Sequence, residues 1–222
     1  MQRVSRTARD GRPLPVRVYE VVRDMIVEGE LEPDTKLVQE QLAEQLGVSR
    51  TPVRDALSRL TNEGLVTWLP GSGYLVNDLT QQDVVQVYQV RESLESLGLR
   101  LACGRHTPTD LARLNALIEE MADADPGAAG RQFELNRRFH YALIEPCGNQ
   151  LLLQMIDSLW DRPVSRRITR SYVHDPAQVA RMVDEHRQLL AAAAGNDCDR
   201  LLELAGAHMS EGYSDSLPHS RS

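Results

Sequence analysis

One stretch limits the fold more than any other. Residues 37–76, "LVQEQLAEQLGVSRTPVRDALSRLTNEGLVTWLPGSGYLV", change their apolar period once, from helix to strand. Leu42, Ala43 and Leu46 recur at helical spacing and stop at Gly47, which predicts a short helix over 37–47. Ser49 stands at an N-cap position. Pro52 falls in the first turn of the next helix, where a missing N–H costs little. Val53, Ala56, Leu57 and Leu60 form its buried stripe, and Gly64 ends it. The period then drops to two: "LVTWL" reads as a strand, "PGSG" as a turn and "YLV" as a second strand.

Ahead of this stretch, "VRVYEVVRDMIVEG" (16–29) carries apolar residues at 18, 21, 22, 25 and 26, an amphipathic helix stopped by Gly29 and Pro33. Three helices and a hairpin make a winged helix-turn-helix over residues 14–77, behind a polar arm at 1–13. After Asn77 the strand signals cease. Helices are expected at 80–104 (Thr80 as cap), 108–124, 129–145, 148–171 with a break near Pro163, 176–194 and 197–213, then a polar tail at 214–222. The expected fold is therefore mainly α, a winged helix-turn-helix followed by an all-α antiparallel bundle at 80–213.

A net charge of −7 argues against a nucleic-acid partner only until it is divided along the chain. Residues 1–77 hold 10 Lys+Arg against 11 Asp+Glu, and residues 78–222 hold 15 against 21. The basic groups of the first part gather at Arg3, Arg6, Arg9 and Arg12 and at Arg50, Arg54 and Arg59. Local charge governs a phosphate contact. No run of eighteen apolar residues and no apolar leader follow from the sequence, which gives the expectation of a cytoplasmic protein without a membrane partner. Cys103, Cys147 and Cys198 are scattered, with no CxxC, which argues against a disulfide framework and against a thiolate zinc cluster.

In a helix-turn-helix the second helix enters the major groove with its N-terminal residues against bases and phosphates. Thr51, Arg54, Asp55 and Ser58 lie opposite the Val53/Leu57/Leu60 stripe, and Arg50 flanks the helix start. Periodicity alone fits a merely solvated charged face equally well. The order of residues in "LAEQLGVSRTPVRDALSRLTNEGLV" with its glycine-bearing wing resembles the signature of the GntR family of bacterial transcription regulators, from about residue 16 to 76. The resemblance implies Ser49, Arg50, Thr51 and Arg54 as DNA contacts and Gly71 as the wing glycine near the minor groove. Gln39 and Glu40 stand where some relatives carry arginine.

The second part points one histidine inward from each of three helices. Phe133, Asn136, His140, Leu143 and Ile144 share a face; so do Val179, Met182, Val183, His186, Leu189, Leu190 and Ala193, and likewise Leu201, Leu204, Ala205 and His208. A single inward histidine is usually a packed core residue, whereas three on one bundle can ligate Zn, Ni, Co or Mn. Asn136 precedes His140 by one turn. His106, His174 and His219 read as surface residues. Arg91 and Glu95 fall on the inner side of the helix at 80–104, as a carboxylate clamp or as a plain ion pair at a helix seam.

Residues 80–213 resemble the FCD ligand-binding domain of the FadR-like branch of that family, through Asn136-x-x-x-His140, "EHRQLLAA" with His186, and "AHM" with His208. The resemblance implies metal ligands at His140, His186 and His208, with Asn136 where the family has Asp. "VRESLE" resembles the family's Arg-x-x-x-Glu element. The implied ligands are small organic acids, and the implied protein is a homodimeric repressor on a palindromic operator. The rival reading is a metal-dependent hydrolase; it needs a general base, and Glu185, next to His186, sits about a quarter turn away with no HExxH motif.

Overall fold

The computed structural model describes residues 11–27, 29–78, 80–125, 128–162, 164–165 and 175–216. Residues 1–10 of the expected arm, the expected break at Pro163, His174, and residues 217–222 with His219 lie outside these. The chain divides into two compact units, Met1–Thr80 and Gln81–Ser222.

The first unit runs α1 (Leu14–Val27), β1 (Lys36–Leu37), α2 (Gln39–Leu46), α3 (Arg50–Asn62), β2 (Val66–Leu69) and β3 (Gly73–Val76). Val18 and Val22 of α1 meet Leu42, Leu46, Val53, Leu57 and Leu60 in one core that Leu65 and Val76 complete. Each such side chain contributes about 1.5–3 kcal/mol by leaving water. Gly47 closes α2 in the left-handed region, so that α3 can turn away from it. Ser49 has the extended backbone of an N-cap but makes no side-chain capping bond, against the sequence expectation. Tyr19 of α1 donates to Glu63 at 2.7 Å, and the Arg59 guanidinium lies 3.7 Å from the Tyr19 ring centre. Arg59 is thereby spent on holding α1 to α3.

The hairpin gains a strand that the sequence reading missed. The sheet order is β1-β3-β2, with Leu37 opposite Tyr74 and Trp68 opposite Tyr74 on the other side. Leu37 is drawn out of the expected helix into this pairing, and α2 starts only at Gln39. Gly73 makes the third strand possible. Its φ is +100°, and a Cβ there would sit 2.5 Å from the Leu37 carbonyl oxygen. Gly73→Ala is expected to cost at least the roughly 1–3 kcal/mol of a forbidden backbone region, with the clash in addition. Thermal unfolding of the variant, with α-helical signal intact in the second unit, checks this.

The second unit is built of α4 (Gln81–Ala102), α5 (Pro108–Asp123), α6 (Ala129–Ile144), a 3₁₀ turn (Glu145–Cys147), α7 (Gln150–Trp160), α8 (Pro176–Ala194) and α9 (Cys198–Ser216). Thr107 and Asp110 form a reciprocal capping box that starts α5. α7 ends at Trp160, shortly before the expected break near Pro163; residues 164–165 are again helical and 166–171 lie outside the described residues, while α9 continues to Ser216 into the expected tail. α4 packs on α9, α6 and α7; α8 packs on α5 and α9. Gly98 lets α4 close on the turn between α6 and α7, since a Cβ there would meet Ile144 at 3.1 Å.

Two expectations are corrected in this unit. Cys103 and Cys198 are joined by a disulfide, with Cα atoms 5.7 Å apart. The antiparallel packing of α4 and α9 brings together the end of one and the start of the other, which are 95 residues apart in sequence. Cys147 is the free, buried cysteine. His106 is half-buried rather than on the surface, and one ring nitrogen lies 2.9 Å from the Leu143 carbonyl.

Candidate functional site

The exposed side of α3 carries the residues singled out for DNA. Pro52, Val53, Ala56, Leu57 and Leu60 are buried, while Ser49, Arg50, Thr51, Arg54, Asp55 and Ser58 are exposed. The Arg54 side chain is 64% exposed and its guanidinium touches Asp55 at 3.3 Å, an exposed pair of little energetic weight. The first-turn amides of α3 bring partial positive charge to the same end. Gly71 is exposed at the tip of the β2–β3 turn with φ +72°. Gln39 donates to the Tyr74 hydroxyl at a long 3.5 Å.

In the second unit the three histidines converge. His140 of α6, His186 of α8 and His208 of α9 each offer a ring nitrogen, and these atoms lie within 4.8 Å of one another. His140 and His186 are buried and His208 is nearly so. The rings are held by packing: Phe139 stacks on His186 at 4.2 Å between centroids, and Trp160 lies 5.5 Å from His140. Asn136 is buried one turn before His140 on α6.

Two carboxylates fix the outer nitrogens of two of the rings. His140 Nδ1 lies 2.9 Å from Glu95 Oε2, and His208 Nδ1 lies 2.5 Å from Glu185 Oε2. Burial by itself would raise Glu95, but the Arg91 guanidinium and His140 outweigh it and hold the carboxyl at about 2. An ionised carboxylate accepts, so each imidazole donates from Nδ1 and turns its Nε2 inward. Those two Nε2 atoms face each other at 3.2 Å. Burial pushes His140 below its ordinary value, with Glu95 opposing, and pushes His186 well below it, with the neighbouring imidazoles adding to the effect. Neither ring nitrogen of His186 meets a hydrogen-bond partner among the described residues.

This donor set fits a transition metal. Bonds of about 2.0–2.1 Å in a tetrahedral centre put neighbouring ligand atoms about 3.3 Å apart. The His140–His208 spacing of 3.2 Å is already that edge. The adjoining cavity, lined among others by Glu95, His140 and His208, has a volume of about 10 Å³, room for an ion or one water. Neutral imidazoles with outer nitrogens on carboxylates are the form in which histidine ligates. Sequence reasoning missed Glu185 and the second partner of Glu95. It weighed Glu185 as a hydrolytic base, but the residue is engaged by His208 and, at 3.7 Å, by Arg181.

Arg91 and Glu95 realise the ion pair that was left open against a clamp, with Arg91 Nε donating to Glu95 Oε1 at 3.0 Å. Both are buried. The guanidinium also lies 3.8 Å from the Trp160 ring centre, a cation–π contact.

Residues 14–76 match the model described as "Bacterial regulatory proteins, gntR family", and residues 86–211 match the FCD domain. The chain belongs to the GntR family, with an FCD domain. It is 31% identical to the Nta operon transcriptional regulator of Aminobacter aminovorans over 85% of this chain and 95% of that one. It is 29% identical to the HTH-type transcriptional repressor GlaR of Escherichia coli, over 86% and 90%. The solved structure of E. coli McbR/YncC superposes with a TM-score of 0.69 at 27% identity, covering 91% of this chain and 96% of the other. This GntR-family member is a DNA-binding transcription regulator, and no helix among its described residues is long and apolar enough to cross a membrane.

Proposed function

We propose that this regulator is a homodimeric, cytoplasmic repressor whose grip on a palindromic operator is set by a small organic acid bound at a divalent metal in the FCD domain. The metal, Zn, Ni, Co or Mn, is held by His140, His186 and His208, with the Asn136 amide oxygen as a neutral fourth donor. The observation that carries this reading is the convergence of three imidazoles on one buried point, with both nitrogens of His186 lacking partners among the described residues. Buried nitrogens of that kind would cost about 1–3 kcal/mol each if nothing bonded them, which a metal would relieve. The metal supplies a Lewis-acidic point that a carboxylate can ligate. Arg91 and Glu95 serve the same site from α4, Glu95 by fixing His140.

On the DNA side, Ser49, Arg50, Thr51 and Arg54 contact the major groove and Gly71 brings the wing near the minor groove. A dimer is supported by exposed apolar side chains on two helices that pack together, Val90 and Leu97 on α4 and Leu151 and Met155 on α7. The repressor sign is that of the GlaR name. β3 ends at Val76 and α4 starts at Gln81, so a shift of α4 on ligand binding has little chain in which to dissipate before the wing. The hydrolase alternative has no support among the named relatives.

The test is direct. Protein purified without chelator should carry close to one transition-metal ion per chain by elemental analysis. Duplexes selected by it from a random pool should contain two inverted half-sites. A carboxylate that binds the zinc-loaded protein should weaken operator binding in fluorescence anisotropy. Metal-free protein, or binding of acid without any change in operator affinity, would refute the scheme.

A further inference from the structure

Arg91 is paired with Glu95 and lies over the Trp160 ring, but its outer nitrogen has a much weaker partner. Its Nε is satisfied by Glu95, and Glu95 is shared with His140. Its Nη2 faces the Met209 sulfur at 3.9 Å. A thioether is a weak acceptor, far below a carboxylate in strength. Met209 follows His208 on α9 and is buried. It also lines two spaces at once: the ion-sized cavity beside the histidines and a separate cleft of about 260 Å³ that Tyr88, Gln89, Glu92 and Ser210 help to line. Glu92 is the other residue common to both. The space of about 10 Å³ cannot itself hold an organic acid, and a further open cleft of about 560 Å³ beside Arg181 and Glu185 is lined by His208 but by neither His140 nor Arg91. The cleft of about 260 Å³ can, and Met209 lines both that cleft and the histidine cavity while its sulfur faces Arg91.

Resting on the function proposed above, we infer that Met209 is a displaceable plug: its thioether occupies the anion seat of Arg91, and an incoming monocarboxylate displaces it to join cleft and metal cavity into one pocket. Methionine suits this role because its unbranched side chain has three soft torsions and readily finds another place. Two features set the charge class of the ligand. Glu95 is paired with Arg91, which leaves Glu185, on the outer nitrogen of His208, as the one further carboxylate bonded to these rings among the described residues, so a divalent cation there keeps about one uncompensated positive charge and one anion is wanted. Glu92 stands exposed at the shared rim and repels a second negative charge on the ligand. Acids with two or three carboxylates are thereby disfavoured.

The experiment uses the full chain with ¹³C-methyl-labelled methionine, with and without zinc, and acetate, L-lactate and citrate as probes. Metal content is measured on each sample. The Met209 methyl resonance, assigned with Met209→Ala, should move to saturation with acetate and L-lactate and much less with citrate. In calorimetry Met209→Ala should bind both monocarboxylates about tenfold more tightly or better, because an open state populated at 10% or less no longer taxes the affinity. Metal content should match the wild type. A monocarboxylate that binds while the Met209 methyl stays still, or a Met209→Ala variant with unaltered affinity, would overturn the plug. Citrate binding more tightly than the monocarboxylates would overturn the charge class. Protein that takes up no zinc would sink the metal reading instead. The methyl response to acetate in that sample would still decide whether Met209 yields the Arg91 seat.

Discussion

His186→Leu is expected to abolish zinc binding while leaving the metal-free protein at least as stable as the wild type. The two halves of this result have one cause. His186 is fully buried, stacked on Phe139, and both its nitrogens lack partners among the described residues. In the metal-free state those nitrogens cost about 1–3 kcal/mol each in lost hydrogen bonding. Leucine is similar in bulk and carries no such cost. With metal the balance reverses. Zinc at one hundred times its dissociation constant stabilises the wild type by about 2.7 kcal/mol. For a chain of this size that is an upward shift of roughly 5–10 °C in Tm, at about 2–4 °C per kcal/mol. The variant should show no shift at all. Glu185→Gln, which changes the partner of the outer nitrogen of His208 and removes no metal ligand, should weaken the metal by about 10–100-fold without abolishing it. If His186 were only a packed core residue, zinc would leave the Tm of the wild type unchanged, and differential scanning fluorimetry with a zinc series decides between the two.

The sequence made the helices and the three inward histidines legible because both depend on spacing within one element. Periodicity placed Val53, Leu57 and Leu60 inside α3 and His140, His186 and His208 inside their helices, and the structure buries or nearly buries each. What remained hidden depends on contacts between elements. β1 is two residues long, too short for any alternation to register, and exists because Gly73 lets Leu37 lie against β3. Glu95 and Glu185 looked like one half of an ion pair and an off-axis neighbour. Their roles on His140 and His208 appear only when α4, α6, α8 and α9 are brought together. Cys103 and Cys198 looked scattered for the same reason. Arg59 counted as one of three basic groups on α3, whereas its guanidinium lies on the Tyr19 ring and bonds Glu63.

That last distinction makes the second large effect specific to one arginine. Arg54→Ala should remove sequence-specific operator binding and leave the fold untouched. Arg54 is exposed, and its one ion pair, with Asp55 at 3.3 Å, is a surface contact. Its loss therefore costs no more than the about 0–1 kcal/mol typical of such pairs. In the groove the same guanidinium can bond guanine O6 and N7 together, a pairing worth about 1–3 kcal/mol of base discrimination. A two-fold dimer uses it twice, so the specific affinity should fall by roughly 30-fold to 10⁴-fold on doubling that energy. Binding to unrelated duplex, which rests on phosphates, should fall far less, with a salt slope shallower by about one per lost phosphate contact. Arg59→Ala should do the opposite: it loosens α1 from α3, lowers the unfolding temperature, and spares the specific-to-nonspecific ratio of the protein that remains folded. Titrations of both variants against selected and scrambled duplexes at two salt concentrations measure the contrast. An Arg54→Ala protein that keeps the wild-type ratio would remove α3 from the base-reading role.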